Sequence, residues 1–502
     1  MTDPLILALD QGTTSSRALV FDQYGQVRTL AQKSFTQHYP RDGWVEHAPE
    51  DLWTSQIETA RTAITQLGAD AEKLIGLAIT NQRETTLIWD RRSGKPIAPA
   101  IVWQDRRTAT ACKALETAGH GPVIAEKTGL LLDPYFSASK IAWLLDNVPG
   151  AREAAITVDL AFGTVDTYLL WHLTGGRVHA TDETNASRTS LYNIHTGTWD
   201  DDLLALFNVP RSLLPEVKTS AAHFGVSDPD LLGKPLPILA MAGDQQAAAF
   251  GQACYQAGQA KMTYGTGGFL LMHTGETPRA SAHRLLTTRA CRTGSDPAFA
   301  LEGSIFIAGA VVQWLRDGLG LIETSEQSEV LASAEPGANG VYLVPAFTGL
   351  GAPHWDAEAR GAIFGLTRDA NRADIARASL EAVGYQTADL LEALRQDGAS
   401  ATTLRVDGGM AANDWLMTFV ANMTGTDLIR PANLETTALG VAALGFLQAG
   451  TWSDLATASS RLDQDSTNFN PTMALERRRT HLNGWRSAVA ATRHYAALQN
   501  SP

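Results

Sequence analysis

A strand, a small-residue turn and a second strand occur twice in this chain, half its length apart, and that repeat most constrains the fold. The first copy is an apolar run, Leu5 to Leu9, ending at Asp10 and followed by Gln11-Gly12-Thr13-Thr14-Ser15-Ser16-Arg17 and a second apolar run, Ala18 to Phe21. The second copy is Lys261 to Tyr264, then Gly265-Thr266-Gly267-Gly268, then Phe269 to Met272. Each reads as a β-hairpin. The first turn is rich in N–H and hydroxyl donors, with a carboxylate at its base and an arginine just beyond. Such a turn suits a polyphosphate with its metal ion, although an ordinary hairpin has the same outline.

Between and after these units, strand and helix patterns alternate, which places the chain in the α/β class. Leu74 to Thr80, Ile156 to Phe162, Pro237 to Ala242 and Thr403 to Val406 are strand candidates. Leu380, Val383, Thr387, Leu390, Leu391 and Leu394 recur at helical spacing, and Gly398 is a stop. The segment from about Asp463 reads as an approach loop and a peripheral helix. Matched hairpins in the two halves predict a duplicated α/β domain facing itself across a cleft.

Two common nucleotide motifs are absent. Gly94-Lys95 and Gly233-Lys234 are each followed by proline, so neither is a Walker A loop, and no Gly-x-Gly-x-x-Gly opens a helix after a strand. A net charge of −13 argues against nucleic acid or an anionic membrane as partner. Three scattered cysteines, Cys112, Cys254 and Cys291, suggest neither a disulfide framework nor a zinc site. With no signal-like N-terminus and no apolar run of spanning length, the expected location is the cytoplasm, without membrane insertion.

Glycine-rich turns at strand ends recur at Asp10 to Thr14, Gly265 to Gly268 and Asp407 to Gly409. Gly243-Asp244-Gln245-Gln246 adds a turn between a strand and the run Ala247 to Phe250. There Asp244 is either a helix N-cap or a functional carboxylate.

These turns, with Asn81-Gln82-Arg83-Glu84-Thr85-Thr86, Val102-Trp103-Gln104, Asp133-Pro134-Tyr135-Phe136, Gly163-Thr164-Val165-Asp166-Thr167 and Pro345-Ala346-Phe347-Thr348-Gly349-Leu350-Gly351, run in order over nearly the whole chain. The set resembles the FGGY family of carbohydrate kinases, within the ATPase fold shared with actin and Hsp70. It is nearest to those members that phosphorylate glycerol. The resemblance implies two duplicated ribonuclease-H-like domains around a catalytic cleft. Residues 1–253 would bind the polyol and phosphates, and residues 254–502 the adenine nucleotide. The implied reaction is ATP-dependent phosphorylation of glycerol to sn-glycerol 3-phosphate.

The resemblance also assigns roles. Asp244 is the expected general base. Arg83, Glu84, Asp244 and Gln245 are expected at the polyol hydroxyls, with Trp103, Tyr135 and Phe269 as an aromatic wall. Thr13, Thr14, Ser15, Thr266 and Gly267 would line the phosphates, Arg17 would offset charge there, and Asp10 would hold Mg²⁺. Gly309, Gln313, Gly409 and Asn413 correspond to the adenosine pocket. A homo-oligomer, dimer or tetramer, is expected. Two departures stand out. Asp230-Leu231-Leu232-Gly233-Lys234-Pro235-Leu236 lacks the arginine of the loop that binds fructose 1,6-bisphosphate in some members. Glu476-Arg477-Arg478-Arg479 replaces the acidic stretch that docks a phosphotransferase-system regulator. Neither form of regulation is expected. The readings left open are a related kinase for a pentulose, erythritol or dihydroxyacetone, and a nucleotide-driven scaffold on the same fold.

Overall fold

The computed structural model describes residues 3–157, 159–334, 338–462 and 465–499. Its first sheet contains β1 (Leu5–Gln11), β2 (Ser15–Asp22), β3 (Val27–Ser34), β4 (Leu74–Asn81) and β5 (Ile238–Gly243), in the order β5-β4-β1-β2-β3. The second contains β6 (Ala260–Tyr264), β7 (Gly268–Gly275), β8 (Leu286–Arg289), β9 (Phe299–Ile305), β10 (Thr403–Asp407), β11 (Asp427–Pro431) and β12 (Ser466–Phe469), in the order β8-β9-β7-β6-β10-β11-β12. In the first sheet β1, β2 and β3 form an antiparallel meander, and β4 and β5 continue it parallel to β1. In the second, β6, β7 and β9 form the same meander, and β10 and β11 are the parallel pair. The duplication is therefore topological: two five-stranded units of one design, with β8 and β12 added at the edges of the second.

The helices that bear on the site are α1 (Pro49–Leu67), α2 (Val165–Leu173), α3 (Asp244–Gly251), α4 (Arg372–Gln396), α5 (Thr436–Gln448) and α6 (Leu475–Gln499). Strand β1 is buried on both faces, so it reads as a nearly unbroken apolar run. Leu5, Leu7 and Leu9 pack with α1 and α2, and Ile6 and Ala8 pack with α5. Helix α5 comes from the second half of the chain yet covers the first sheet. It crosses α3 at very close range: a Cβ on Gly440 would lie 1.8 Å from the Ala247 carbonyl oxygen, and one on Gly251 would lie 2.0 Å from that of Thr436.

Parallel strands end together. Asp10 is level with Thr80, and Thr80 with Ala242. Asp10 and Asp244 therefore emerge at the same edge of the first sheet, at the carboxyl ends of strands where α/β sheets place their ligands.

Two local expectations need correction. Ile156 ends a helix, Ala151–Ile156, and the strand covers only Leu160–Gly163; Val158 lies outside the described residues. The approach to the last helix contains β12, paired with β11. Its Ser466, Thr467 and Asn468 are exposed and only Phe469, at its end, enters the core, so it shows no apolar alternation. Asp463, where that segment was expected to begin, lies outside the described residues. Among these residues no helix is long and apolar enough to cross a membrane.

The α3–α5 crossing admits no side chain at its two glycines. Gly440→Ala should cost about 3 kcal/mol, the upper range for overpacking, read as a lower urea midpoint. Gly294→Ala, with open space around its Cβ, should stay within about 0.5 kcal/mol of wild type.

Candidate active site

The β1–β2 turn is held from outside the hairpin. The carbonyl of Gly12 accepts from Gln82 Nε2 (2.9 Å), that of Thr13 from Gln37 Nε2, and that of Thr14 from the Phe35 N–H (3.3 Å). Trp103 Nε1 donates to Thr13 Oγ1 (3.0 Å). Thr14 is exposed, and Thr13 and Ser15 are half-buried. Asp10 is 3% exposed, and Arg17 Nη2 donates to its Oδ2 (2.5 Å) while Nη1 donates to Glu435 Oε2 (2.6 Å). The Asp10 carboxylate, with Glu435 adding to it, raises the Arg17 guanidinium above its ordinary value despite burial. Among the described residues no group of three or more His, Cys, Asp or Glu could hold a metal by itself. A single strand-end carboxylate instead fits Mg²⁺ that arrives already bound to phosphates and water.

The cleft floor is a buried ionic network. Arg83 and Glu84 follow β4 and are 2% and 1% exposed, so they are not a surface ion pair. Arg83 makes a bidentate pair with Glu302 of β9 (2.6 and 2.9 Å) and donates to Gln246 Oε1 (3.1 Å). Its Nε lies 3.3 Å from Asp244 Oδ1. Arg188 bridges Glu84 (2.6 Å) and Glu302 (3.0 Å) and lies over the rings of Tyr135 and Phe136. Burial alone would raise the Glu302 carboxyl; Arg188 and Arg83 reverse this and hold it at about 2. Glu84 has φ of 60°, a conformation that a residue with a Cβ adopts at a cost of about 1–2 kcal/mol. It is fixed there by Ser137 Oγ, which donates to its carbonyl (3.0 Å), and by Arg188 at its carboxylate.

Asp244 begins α3, with its side chain 31% exposed to the cleft. The Gln245 N–H donates to its Oδ1 (2.7 Å). Burial raises its carboxyl to about 6, with Arg83 and Lys261 opposing and Glu84 reinforcing. Gln245 in turn accepts from Lys261 Nζ. Above this floor the three expected aromatics meet edge to face. Trp103 lies 5.5 Å from Tyr135 and 6.2 Å from Phe269, centroid to centroid. Lys140 Nζ donates to the Tyr135 carbonyl (2.5 Å) and fixes that turn.

Across the cleft, Thr266, Gly309, Gln313, Gly409 and Asn413 line one pocket of about 360 Å³. Two glycines at this side of the cleft, Gly267 and Gly309, are required by space. A Cβ on Gly267 would lie 2.6 Å from the Ile305 carbonyl oxygen, and one on Gly309 would lie 2.6 Å from that of Gly265.

The structure thus joins Thr13, Trp103, Tyr135 and Phe269 through contacts, Arg83, Glu84 and Asp244 in one ionic floor, and Asp10 with Arg17, and it gathers Thr266, Gly309, Gln313, Gly409 and Asn413 around one pocket; Gln245 follows Asp244, and Thr14, Ser15 and Gly267 stand in or beside the adjoining turns. Sequence reasoning missed Glu302, Arg188, Lys261 and Gln246. Glu302 carried a signal, a lone carboxylate inside the apolar strand Phe299–Ile305. Arg188 carried none, since Ser187-Arg188-Thr189-Ser190 looks like a solvated loop.

Comparison with known proteins agrees with this geometry. The N-terminal domain model of the FGGY family of carbohydrate kinases matches residues 5–251, and its C-terminal domain model matches residues 260–449. The chain is 58% identical over 490 residues to a glycerol kinase of Rhodospirillum centenum, covering 98% of each. It is 56% identical over 491 residues to one of Methylobacterium nodulans, covering 97% of each. Among solved structures, the glycerol kinase of Plasmodium falciparum, crystallised with ADP, superposes with a TM-score of 0.91 at 35% identity, covering 98% of each chain.

Breaking the Arg83–Glu302–Arg188 network from its acidic centre strands two buried guanidiniums. Glu302→Gln is expected to destabilise the protein by about 3–5 kcal/mol in equilibrium unfolding.

Proposed function

The chain belongs to the FGGY family of carbohydrate kinases, and from that premise we propose that it phosphorylates glycerol with ATP, yielding sn-glycerol 3-phosphate and ADP in glycerol catabolism. The observation that carries the proposal is the setting of Asp244. It is a half-open carboxylate of raised pKa at a strand–helix junction, beside a rigid polar floor and an aromatic wall.

A small neutral triol needs fixed polar partners for its hydroxyls and flat apolar surface for its carbons. Arg83, Glu84 and Gln245 supply the first, and Trp103, Tyr135 and Phe269 the second. Asp244 accepts the proton of the terminal hydroxyl as its oxygen bonds to the γ-phosphorus and the bond to the β-phosphate oxygen breaks. Such transfers are loose, so a carboxylate suffices as base, and alignment contributes most of the acceleration. Thr13, Thr14 and Ser15 from one side and Thr266 and Gly267 from the other line the phosphates. Arg17 offsets their charge, and Gly309, Gln313, Gly409 and Asn413 hold the adenosine. Mg²⁺, brought with ATP, would neutralise phosphate charge, and Asp10 is the residue to hold it.

In this reading residues 1–253 carry the polyol and residues 254–502 the adenine, so closure of the two halves assembles the site and excludes water. ATP hydrolysis without glycerol is then slow. We place the enzyme in the cytoplasm as a homo-oligomer.

The test is ADP release from Mg-ATP with and without glycerol, in wild type and Asp244→Asn. Glycerol should stimulate turnover in wild type, and the variant should lose about 10²- to 10⁴-fold in kcat. Failure of glycerol to stimulate wild type would overturn the substrate, and stimulation that survives the substitution would overturn the base.

The pH profile offers a second check. A base acts only when deprotonated, so kcat/KM should fall as pH drops through about 6, the value set for Asp244 in the free protein. A flat acidic profile down to pH of about 4.5 would remove Asp244 from the role.

A further inference from the structure

One buried titratable group beside the polyol site has no part in the mechanism above. Lys261, in β6, has no exposed surface. Its Nζ donates to Gln245 Oε1 and to Thr263 Oγ1, the latter at 2.7 Å. Lys261 comes from the second half of the chain and Gln245 from the first, so this contact crosses the cleft floor. An ammonium group has donors and no acceptor, so Gln245 can offer it only the carbonyl end of its amide. The NH₂ end of that amide is then turned away from Lys261. Gln245 also follows Asp244 in the first turn of α3 and donates its own N–H to the Asp244 carboxylate.

We propose that Lys261 is a positioning residue for the polyol site: it locks the Gln245 amide so that its NH₂ faces the substrate hydroxyl. The inference rests on Gln245 and Asp244 being polyol contacts, as proposed above. It makes Gln245 a donor only, so the hydroxyl it meets must accept there and direct its own proton elsewhere.

The charged surroundings fit this role. Asp244 is faced by Arg83 and Glu84, which follow β4, and by Lys261 from β6. Lys261 is faced by Asp407 of β10, Asp244, Arg83 and Glu302. Burial lowers the Lys261 ammonium to about 8 against the pull of Asp407 and Asp244, so it is mostly charged at neutral pH. Arg83 and Lys261 both lower the Asp244 carboxyl. Deleting the ammonium therefore leaves Asp244 a base that protonates at higher pH.

The experiment is steady-state kinetics with glycerol varied at saturating Mg-ATP, for wild type, Lys261→Met, Gln245→Ala and the double variant, across acidic and neutral pH. Lys261→Met should raise the glycerol KM about tenfold, the value of one charge-assisted hydrogen bond, and leave the ATP KM within about twofold. If the lysine acts through Gln245, the double variant should show the KM of Gln245→Ala within about twofold. The acidic limb of kcat/KM should move to higher pH in Lys261→Met, which a merely structural residue would not cause. Multiplying KM effects, or an unmoved acidic limb, would overturn the proposal. A wild type that glycerol does not stimulate refutes the parent reading and this one with it. A stimulated wild type with an unaltered Lys261→Met refutes this one alone. Should the methionine variant not fold, Lys261→Gln keeps a donor and drops the charge. It should hold the glycerol KM within about threefold while still raising the acidic limb, and an unmoved limb there overturns the proposal equally.

Discussion

The bidentate pair between Arg83 and Glu302 is the contact on which the cleft depends. Arg83 follows the last residues of β4 in the first sheet, and Glu302 lies inside β9 in the second. Both are withdrawn from water, as is Arg188, the second cation on the same carboxylate. Desolvating such groups is costly, and apolar residues could join two domains at least as firmly. What an ionic joint supplies is direction. A guanidinium fork meets a carboxylate in one plane, so Arg83 is held with its Nε toward Asp244 and its far edge on the partner domain. The position of the candidate base is thereby tied to both halves.

The two halves share a topology and differ in chemistry. In the first, the strand that opens the meander carries Asp10 one residue before its end, and the Asp10 carboxylate meets Arg17 and, through it, Glu435. In the second, the carboxylate stands at the end of β10 instead. Asp407 accepts from Gln252, just past α3, and from Thr436, the first residue of α5. It thus ties together the two helices that cross at Gly251 and Gly440. One carboxylate thus pairs with an arginine at the turn, and the other serves the joint. The absence of an acid in Gly265-Thr266-Gly267-Gly268 lets the backbone of that turn approach its pocket closely.

How much of this could be read from sequence followed from whether a residue's neighbours are local. The strands β1, β4, β5 and β10 were legible because each is an apolar run stopped by a turn. Asp10, Asp244 and the glycine turns were legible because each stands at the end of such a run. The span of Leu380 to Leu394 was legible from its period, and the structure extends it to α4, Arg372–Gln396, with an Asn371–Asp374 capping box. β12 was not, because three polar, exposed residues before a single phenylalanine do not depart from a loop. Arg188 and Lys261 were not, because their partners lie 104 and 16 residues away along the chain. The crossing of α5 onto the first sheet was hidden for the same reason. Its apolar surface is evident, but which sheet it covers is decided by packing between halves.

The network also bears on what the cleft admits. Three cations, Arg83, Arg188 and Lys261, stand among the carboxylates of Glu84, Glu302 and Asp244, with Asp407 also facing Lys261, in a floor from which water is largely excluded. A neutral polyol adds hydrogen bonds and no charge, so it leaves this balance undisturbed. A sugar acid or a sugar phosphate would bring an anion to a floor whose guanidiniums and ammonium are already engaged, and such a charge is strongly disfavoured without a partner of its own. The same balance explains why the candidate base can carry a raised pKa without losing its place. Asp244 is the outermost of the three acids and the least engaged, held by one backbone N–H and a 3.3 Å approach from Arg83, while Glu302 takes the tight bonds. The floor therefore sets two identical functional groups in different surroundings: the Glu302 carboxylate is buried and fully engaged, and that of Asp244 is left half-open to the cleft.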